Sequence, residues 1–215
     1  MQAMSTVPGS LPANAMQIAI LTFEGFNELD SLIALNILNR VKQPDWKVRL
    51  CCPQPQVTSM NGLKVEAQSL LEDARSADAV IVGSGVLTRQ VVADPALMAR
   101  LQLDPSRQLV AAQCSGTLVL AKLGLLGTVP ACTDLTTKPW VQEAGVEVLN
   151  QPFYARDNLA TAGGCLAAAY LAAWIIARAH GVDAAVAALN YVAPVGEKDA
   201  YVENALKRIS PYLPA

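Results

Sequence analysis

Short, unbroken apolar runs of strand length alternate along the chain with stretches whose apolar residues recur every three or four positions. The first run is MQIAILTF (residues 16–23). After Gly25 it gives way to Leu29, Leu32, Ile33, Leu35, Ile37 and Leu38, the spacing of a helix face. WKVRLCC (46–52), ADAVIVGSG (77–85) and RQLVAAQ (107–113) have the same apolar character and are expected as core strands. In VTSMNGLKVEAQ (57–68), Asn61 and Gly62 lie between two extended pieces, a strong hairpin signal, so a small β-ribbon is expected to project there. Helical spacing covers residues 88–103 with a break at Pro95, then 115–125, 136–144, 165–179, 183–191 and 198–209. Further short strands are expected at VPACT, VEVLN, FYARD and LATAG.

Alternating strand and helix with β-branched, uniformly apolar strands predicts an α/β fold. The expected form is a flavodoxin-like, doubly wound, mostly parallel sheet with helices on both faces and a small β-hairpin. Residues 16–215 read as one domain, long enough for a substantial core, and residues 1–15 as a disordered lead-in without the cationic opening and apolar run of a signal peptide. LATAGGCLAAAYLAAWIIA (159–177) is uncharged for long enough to raise a membrane-spanning reading. Gly163 and Gly164 break it near the start, so a buried strand, a tight turn and a core helix are expected instead.

Composition changes the picture in a few respects. Hydrophobic residues make up 53% of the chain and charged ones 16%, which leaves more apolar surface than a monomer comfortably exposes and points to self-association, with a homodimer as the expected partner state. A formal charge of -2 offers no long-range pull toward nucleic acid or an anionic membrane, and neither is expected as a partner. The five cysteines (Cys51, Cys52, Cys114, Cys132 and Cys165) are odd in number and contain no CxxC pair, which suits a reducing cytoplasm. The single histidine, His180, ends an Ala-rich helical segment and reads as a surface or capping residue. No metal site and no cofactor are expected.

In such a sheet, ligands bind outside the carboxyl ends of the strands, near the point where strand order reverses. Loops 25–30, 83–85 and 113–116 leave that edge. Cys114 lies between an apolar strand and a helix and is followed by the small Ser115 and Gly116, so the turn can be tight and strained. A thiol held at a helix N-terminus would have a lowered pKa, but cysteine is also a common small buried hydrophobe, and this stretch alone does not choose between the two. Glu28 and Asp30 stand where the first strand gives way to its helix. Both can be simple N-terminal helix charges. Asp30, followed directly by the core-facing SLIAL, is expected to be partly buried, where a carboxyl can hold a proton to give.

A glycine-led loop ending in an acid, a VIVGSG strand and loop, and an AxCxG elbow followed by LVLAKLGLLG together resemble the DJ-1/PfpI (ThiJ/PfpI) superfamily over residues 17–178. The resemblance implies that Cys114 is the elbow nucleophile and Asp30 the acidic residue bonded to it. It also implies that the N–H groups of Ser115 and Gly85 form an oxyanion hole. GSG at 83–85 departs from the usual PGG. Where many members carry histidine this chain has Asp134 in ACTDL, and no other histidine replaces it, which disfavours protease or amidotransferase chemistry.

The resemblance is closest to the isocyanide hydratase-like branch. It implies a lyase acting on a small-molecule substrate, adding water through a Cys114 thioimidate with Asp30 as general acid and base. Glu28, Ser84, Asp134 and Gly164 are possible pocket residues. A cysteine redox or stress sensor, and glyoxalase- or deglycase-like action on small carbonyls, remain the alternatives. Cys51 and Cys52, adjacent on a strand, must face opposite sides, while Cys132, Cys165 and Trp140 are read as packing residues.

Overall fold

The computed structural model describes residues 16–214. The lead-in expected over residues 1–15 lies outside them. Strands β1 (Met16–Leu21), β2 (Trp46–Cys52), β5 (Ser69–Leu70), β6 (Ala79–Val82), β7 (Leu109–Gln113), β8 (Phe153–Arg156) and β9 (Leu159–Ala162) form one seven-stranded sheet in the order β5-β2-β1-β6-β7-β9-β8. Every pairing is parallel except that of β8 with β9 at one edge. Strand order reverses between β1 and β6, whose register pairs Leu21 with Val82. The doubly wound, mostly parallel α/β fold is therefore present.

The period of two along each strand sends alternate side chains into two separate layers. Ile18 and Ile20 of β1, with Ala79 and Ile81 of β6, pack under α1 (Glu28–Leu38), α6 (Ala168–His180), α7 (Val182–Val192) and α8 (Lys198–Ile209). Ala19, Leu21, Val80 and Val82 face the other way, toward α2 (Thr88–Ala93), α4 (Gly116–Lys122) and α5 (Lys138–Glu143). Because β6 is covered on both faces, Val80, Ile81 and Val82 are fully buried, which is why that run is continuous rather than alternating. Cys51 and Cys52 likewise enter opposite layers. Burial pushes their thiols up, to about 12 and about 11.

The chain from 159 to 177 divides as expected into strand β9, a glycine turn and helix α6, with a single 3-10 turn over Cys165–Ala167 in between. Leu171, Trp174, Ile175 and Ile176 of α6 are fully buried, each side chain contributing about 1.5–3 kcal/mol of transfer free energy to holding the helix on the sheet. Its uncharged run is a packed core helix, and no helix among the described residues is long and apolar enough to cross a membrane.

Some element boundaries differ from expectation. The helical stretch 88–103 is two pieces, α2 and α3 (Pro95–Ala99), split where Asp94 caps the second through the N–H groups of Ala96 and Leu97. VPACT and VEVLN share only an isolated bridge between Ala131 and Val148, with no partner strand to extend it. The hairpin forms from β3 (Gln56–Thr58) and β4 (Lys64–Glu66), but Asn61-Gly62 sits inside a wider loop over residues 59–63. The ribbon does not project freely. It is docked on the loop after β1 by Gly25 N–H to Thr58 O at 2.7 Å and Met60 N–H to Phe26 O at 2.9 Å.

Candidate active site

Three loops converge at the carboxyl ends of β1, β6 and β7, beside the reversal of strand order. Cys114 follows β7 with φ of 46°, a left-handed conformation uncommon for a side-chain-bearing residue and sustained only where surrounding bonds over-determine it. Those bonds are present. Its N–H donates to Ala162 O at 2.8 Å, and its carbonyl accepts from Thr117 N–H at 3.1 Å and from Thr133 Oγ1 at 2.7 Å. Gly116 lets the elbow press against β6, since a Cβ there would stand 2.3 Å from Val82 O. A similar approach holds the loop after β6 against the loop after β1, where a Cβ on Gly85 would lie 2.5 Å from Gly25 O.

Asp30 comes from the first turn of α1, started by Asn27, whose side-chain oxygen accepts from Leu29 N–H at 3.1 Å. The sequence suggested partial burial, but the residue is fully buried. Ser84 Oγ donates to Asp30 Oδ2, while Oδ1 has no hydrogen-bond partner. The ligating atoms of Asp30, Cys114 and Cys165 all lie within 4.8 Å of one another. No metal motif was legible in the chain, yet these two thiols and one carboxylate are the donor set a soft cation would find here.

Cys114 is 4% exposed. Burial, and after it the charge and hydrogen bonding of Asp30, push its pKa above the ordinary thiol range. That direction is opposite to the lowering a helix terminus alone would give. Helix α4 has only seven residues, and the loss of water and the facing carboxylate outweigh it. Gln113 Nε2 is a side-chain donor directed at the sulfur, at 3.3 Å, and it also donates to Gly164 O at 2.9 Å.

The remaining expected residues are placed as follows. Ser115 Oγ accepts from Gly85 N–H at 3.1 Å and shares a 2.7 Å hydrogen bond with Thr88 Oγ1. Ser115 N–H finds no acceptor among the described residues, whereas Gly85 N–H is already engaged and does not stand free as an oxyanion donor. Glu28 is engaged by the β3-β4 ribbon. Its carboxylate takes the hydroxyl of Ser59 and, at 2.9 Å, the amide of Asn61, and these bonds lower its pKa. Asp134 Oδ1 accepts from the N–H groups of Thr136 at 3.0 Å and Thr137 at 2.9 Å, and its charge is among the causes that raise the Cys114 pKa. Ser84 is buried as the partner of Asp30, and Gly164 borders open space at φ of 90°.

Sequence reasoning missed three contributors. Cys165, read as packing, is a half-exposed thiol in the cluster, and Asn27 Nδ2 donates to its sulfur at 3.3 Å. Gln113 and Thr133 flank the elbow. The glycine pair before Cys165 was the available signal, because Gly163 passes so close to Thr133 that a Cβ would stand 2.2 Å from its carbonyl oxygen.

Comparisons with known proteins bear on the family and the fold. The model of the DJ-1/PfpI family matches residues 16–178. No curated protein matches the chain significantly. Among solved structures, a ThiJ/PfpI family protein from Pseudomonas syringae superposes with a TM-score of 0.73 at 19% identity, covering 91% of this chain and 88% of that one. Drosophila melanogaster DJ-1beta gives 0.73 at 19% identity, covering 83% and 97%. Oxidised Toxoplasma gondii DJ-1 gives 0.71 at 18%, covering 83% and 98%. At these identities the likeness is one of fold.

Proposed function

The chain belongs to the DJ-1/PfpI family, and from that premise we propose that it is a cysteine-dependent hydratase of the isocyanide hydratase type, a homodimer acting on a small-molecule substrate in a reducing cytoplasm. One observation carries the reading. Cys114 faces a fully buried carboxylate whose Oδ1 is unpartnered, and no histidine stands near either group. Such a site can move a proton between sulfur and carboxylate but lacks the imidazole that expels an amine.

In the reactive form the single proton of the pair sits on Asp30 Oδ1 and the negative charge on Cys114 Sγ, where Gln113 Nε2 donates to it. The sulfur attacks the terminal carbon of the isocyanide, and Asp30 delivers its proton to that carbon, giving a thioimidate. Asp30, now a carboxylate, takes a proton from the water that attacks the same carbon and passes it to nitrogen. Collapse of the tetrahedral adduct breaks the C–S bond, releasing an N-substituted formamide and the thiol. Ser115 N–H is placed to polarise the adduct, and Gly85 N–H joins it when Ser115 Oγ turns wholly to Thr88. A nucleophile on a residue only 4% exposed suits the slim, linear end of an isocyanide.

The trial is formamide production from a simple alkyl isocyanide, followed together with the intact mass of the protein. Cys114→Ala should abolish turnover and the covalent adduct, and Asp30→Asn should lower kcat by about 10²–10⁴. Unchanged turnover in both variants, or none in the wild type, would sink the assignment.

A further inference from the structure

We propose that Cys165 is the resolving thiol of Cys114, so that a hydroperoxide converts the pair into a reversible Cys114–Cys165 disulfide that shuts the site. The inference is independent of the hydratase reading, since it needs only the two sulfurs and their surroundings. Their Sγ atoms lie within 4.8 Å of each other, against about 2.05 Å in a disulfide, so a modest displacement of one residue closes the bond. The residue able to move is Cys165. It opens a single 3-10 turn, follows Gly164 with φ of 90° and open space around its Cβ position, and is half-exposed. Cys114 is held by three backbone bonds and stays in place. Asn27 Nδ2, at 3.3 Å from the Cys165 sulfur, is placed to stabilise a thiolate there.

The chemistry balances as two electrons. Cys114 passes its proton to Asp30 and as thiolate attacks the outer oxygen of the hydroperoxide, the O–O bond breaks, and the departing alkoxide takes that proton from Asp30 and leaves as an alcohol. The sulfenic acid on Cys114 is then attacked by the Cys165 sulfur. The S–O bond breaks, and hydroxide leaves as water with the proton given up by Cys165. Two thiols and one hydroperoxide thus become a disulfide, an alcohol and water. An external dithiol reverses the step, whereas without Cys165 the sulfenic acid is free to advance to sulfinate. Cys51, Cys52 and Cys132 are buried away from the cluster and serve as internal references.

The experiment treats the full-length protein with hydrogen peroxide, blocks free thiols with an alkylating reagent, and maps non-reduced peptides by mass spectrometry. The expected result is one linked peptide pair joining Cys114 to Cys165, two hydrogens lighter than the separate peptides and lost on dithiol treatment. Cys165→Ser should lose the link and accumulate Cys114 sulfinate instead, while Cys132→Ala should keep it. Two outcomes overturn the proposal. One is wild-type Cys114 passing to sulfinate while Cys165 remains open to alkylation, and the other is a link joining Cys114 to any other cysteine. Circular dichroism of Cys165→Ser separates a folding defect from loss of the link, and the wild-type map stands without that variant.

Discussion

Cys114 combines a strained backbone with a thiol that its surroundings hold protonated. Burial and then Asp30 raise its pKa, so removing the carboxylate charge must lower it while burial continues to hold it up. In Asp30→Asn, thiolate absorbance in the ultraviolet should therefore appear at lower pH than in the wild type. A titration unmoved by the substitution would show that the carboxylate is not the second cause. Thr133 tests the backbone side of the same residue. Its hydroxyl supplies one of two donors to the Cys114 carbonyl, so Thr133→Val should cost about 1 kcal/mol in urea unfolding, and Thr133→Ser should recover most of it. Of these residues, Cys114 and Asp30 were legible from residue type and local pattern. Gln113, Thr133 and Cys165 were not, because glutamine, threonine and a small buried thiol are ordinary in a strand, a loop and a turn, and only their convergence singles them out.

Elements meet at this site through close backbone approaches and one charged latch. Gly116→Ala would drive a methyl group into Val82 O, where neither backbone can give, so a loss of about 1–3 kcal/mol is expected from the shift of the urea midpoint. The latch is Glu28, whose bonds to Ser59 and Asn61 tie the β3-β4 ribbon to α1. Its pKa in the folded protein is lowered, so its contribution is complete above the ordinary carboxylate value and disappears as the pH falls through the lowered one. Backbone amides of residues 59–63 should lose exchange protection across that acid range in the wild type. In Glu28→Gln the pH dependence should vanish, and protection that stays constant in both proteins would show that Glu28 is no latch. Asn61-Gly62 announced the ribbon, but turn residues say nothing about what a ribbon rests on.

At the scale of the whole molecule, large apolar side chains stand exposed directly beside Asp30, Gly85, Cys165 and Asp134 in the chain. They are Leu29 at 50%, Val86 at 59%, Leu166 at 73% and Leu135 at 82%. A second copy covering them is the expected arrangement, so sedimentation equilibrium should give twice the 22.7 kDa chain mass, and Leu135→Asp with Leu166→Asp should shift the protein toward monomer. A monomeric wild type would refute this. The fold itself was readable because the apolar runs and helical spacings are local and strong, and because strands covered on both faces must be apolar throughout. Failures came where pattern lacked a partner, as in VPACT and VEVLN, which are extended but never joined the sheet. The chain by itself determined the alternation of strand and helix, the elbow at Cys114 with its acid at Asp30, and the absence of a histidine to serve them. Tertiary structure alone decided that Glu28 is bonded by Ser59 and Asn61 of the ribbon, that Gly85 N–H is taken by Ser115, and that Cys165 joins Cys114 and Asp30. The physical reason is the parallel sheet. It sets loops that are far apart in sequence side by side at one edge, where burial and facing charge outweigh the local terms that a sequence displays.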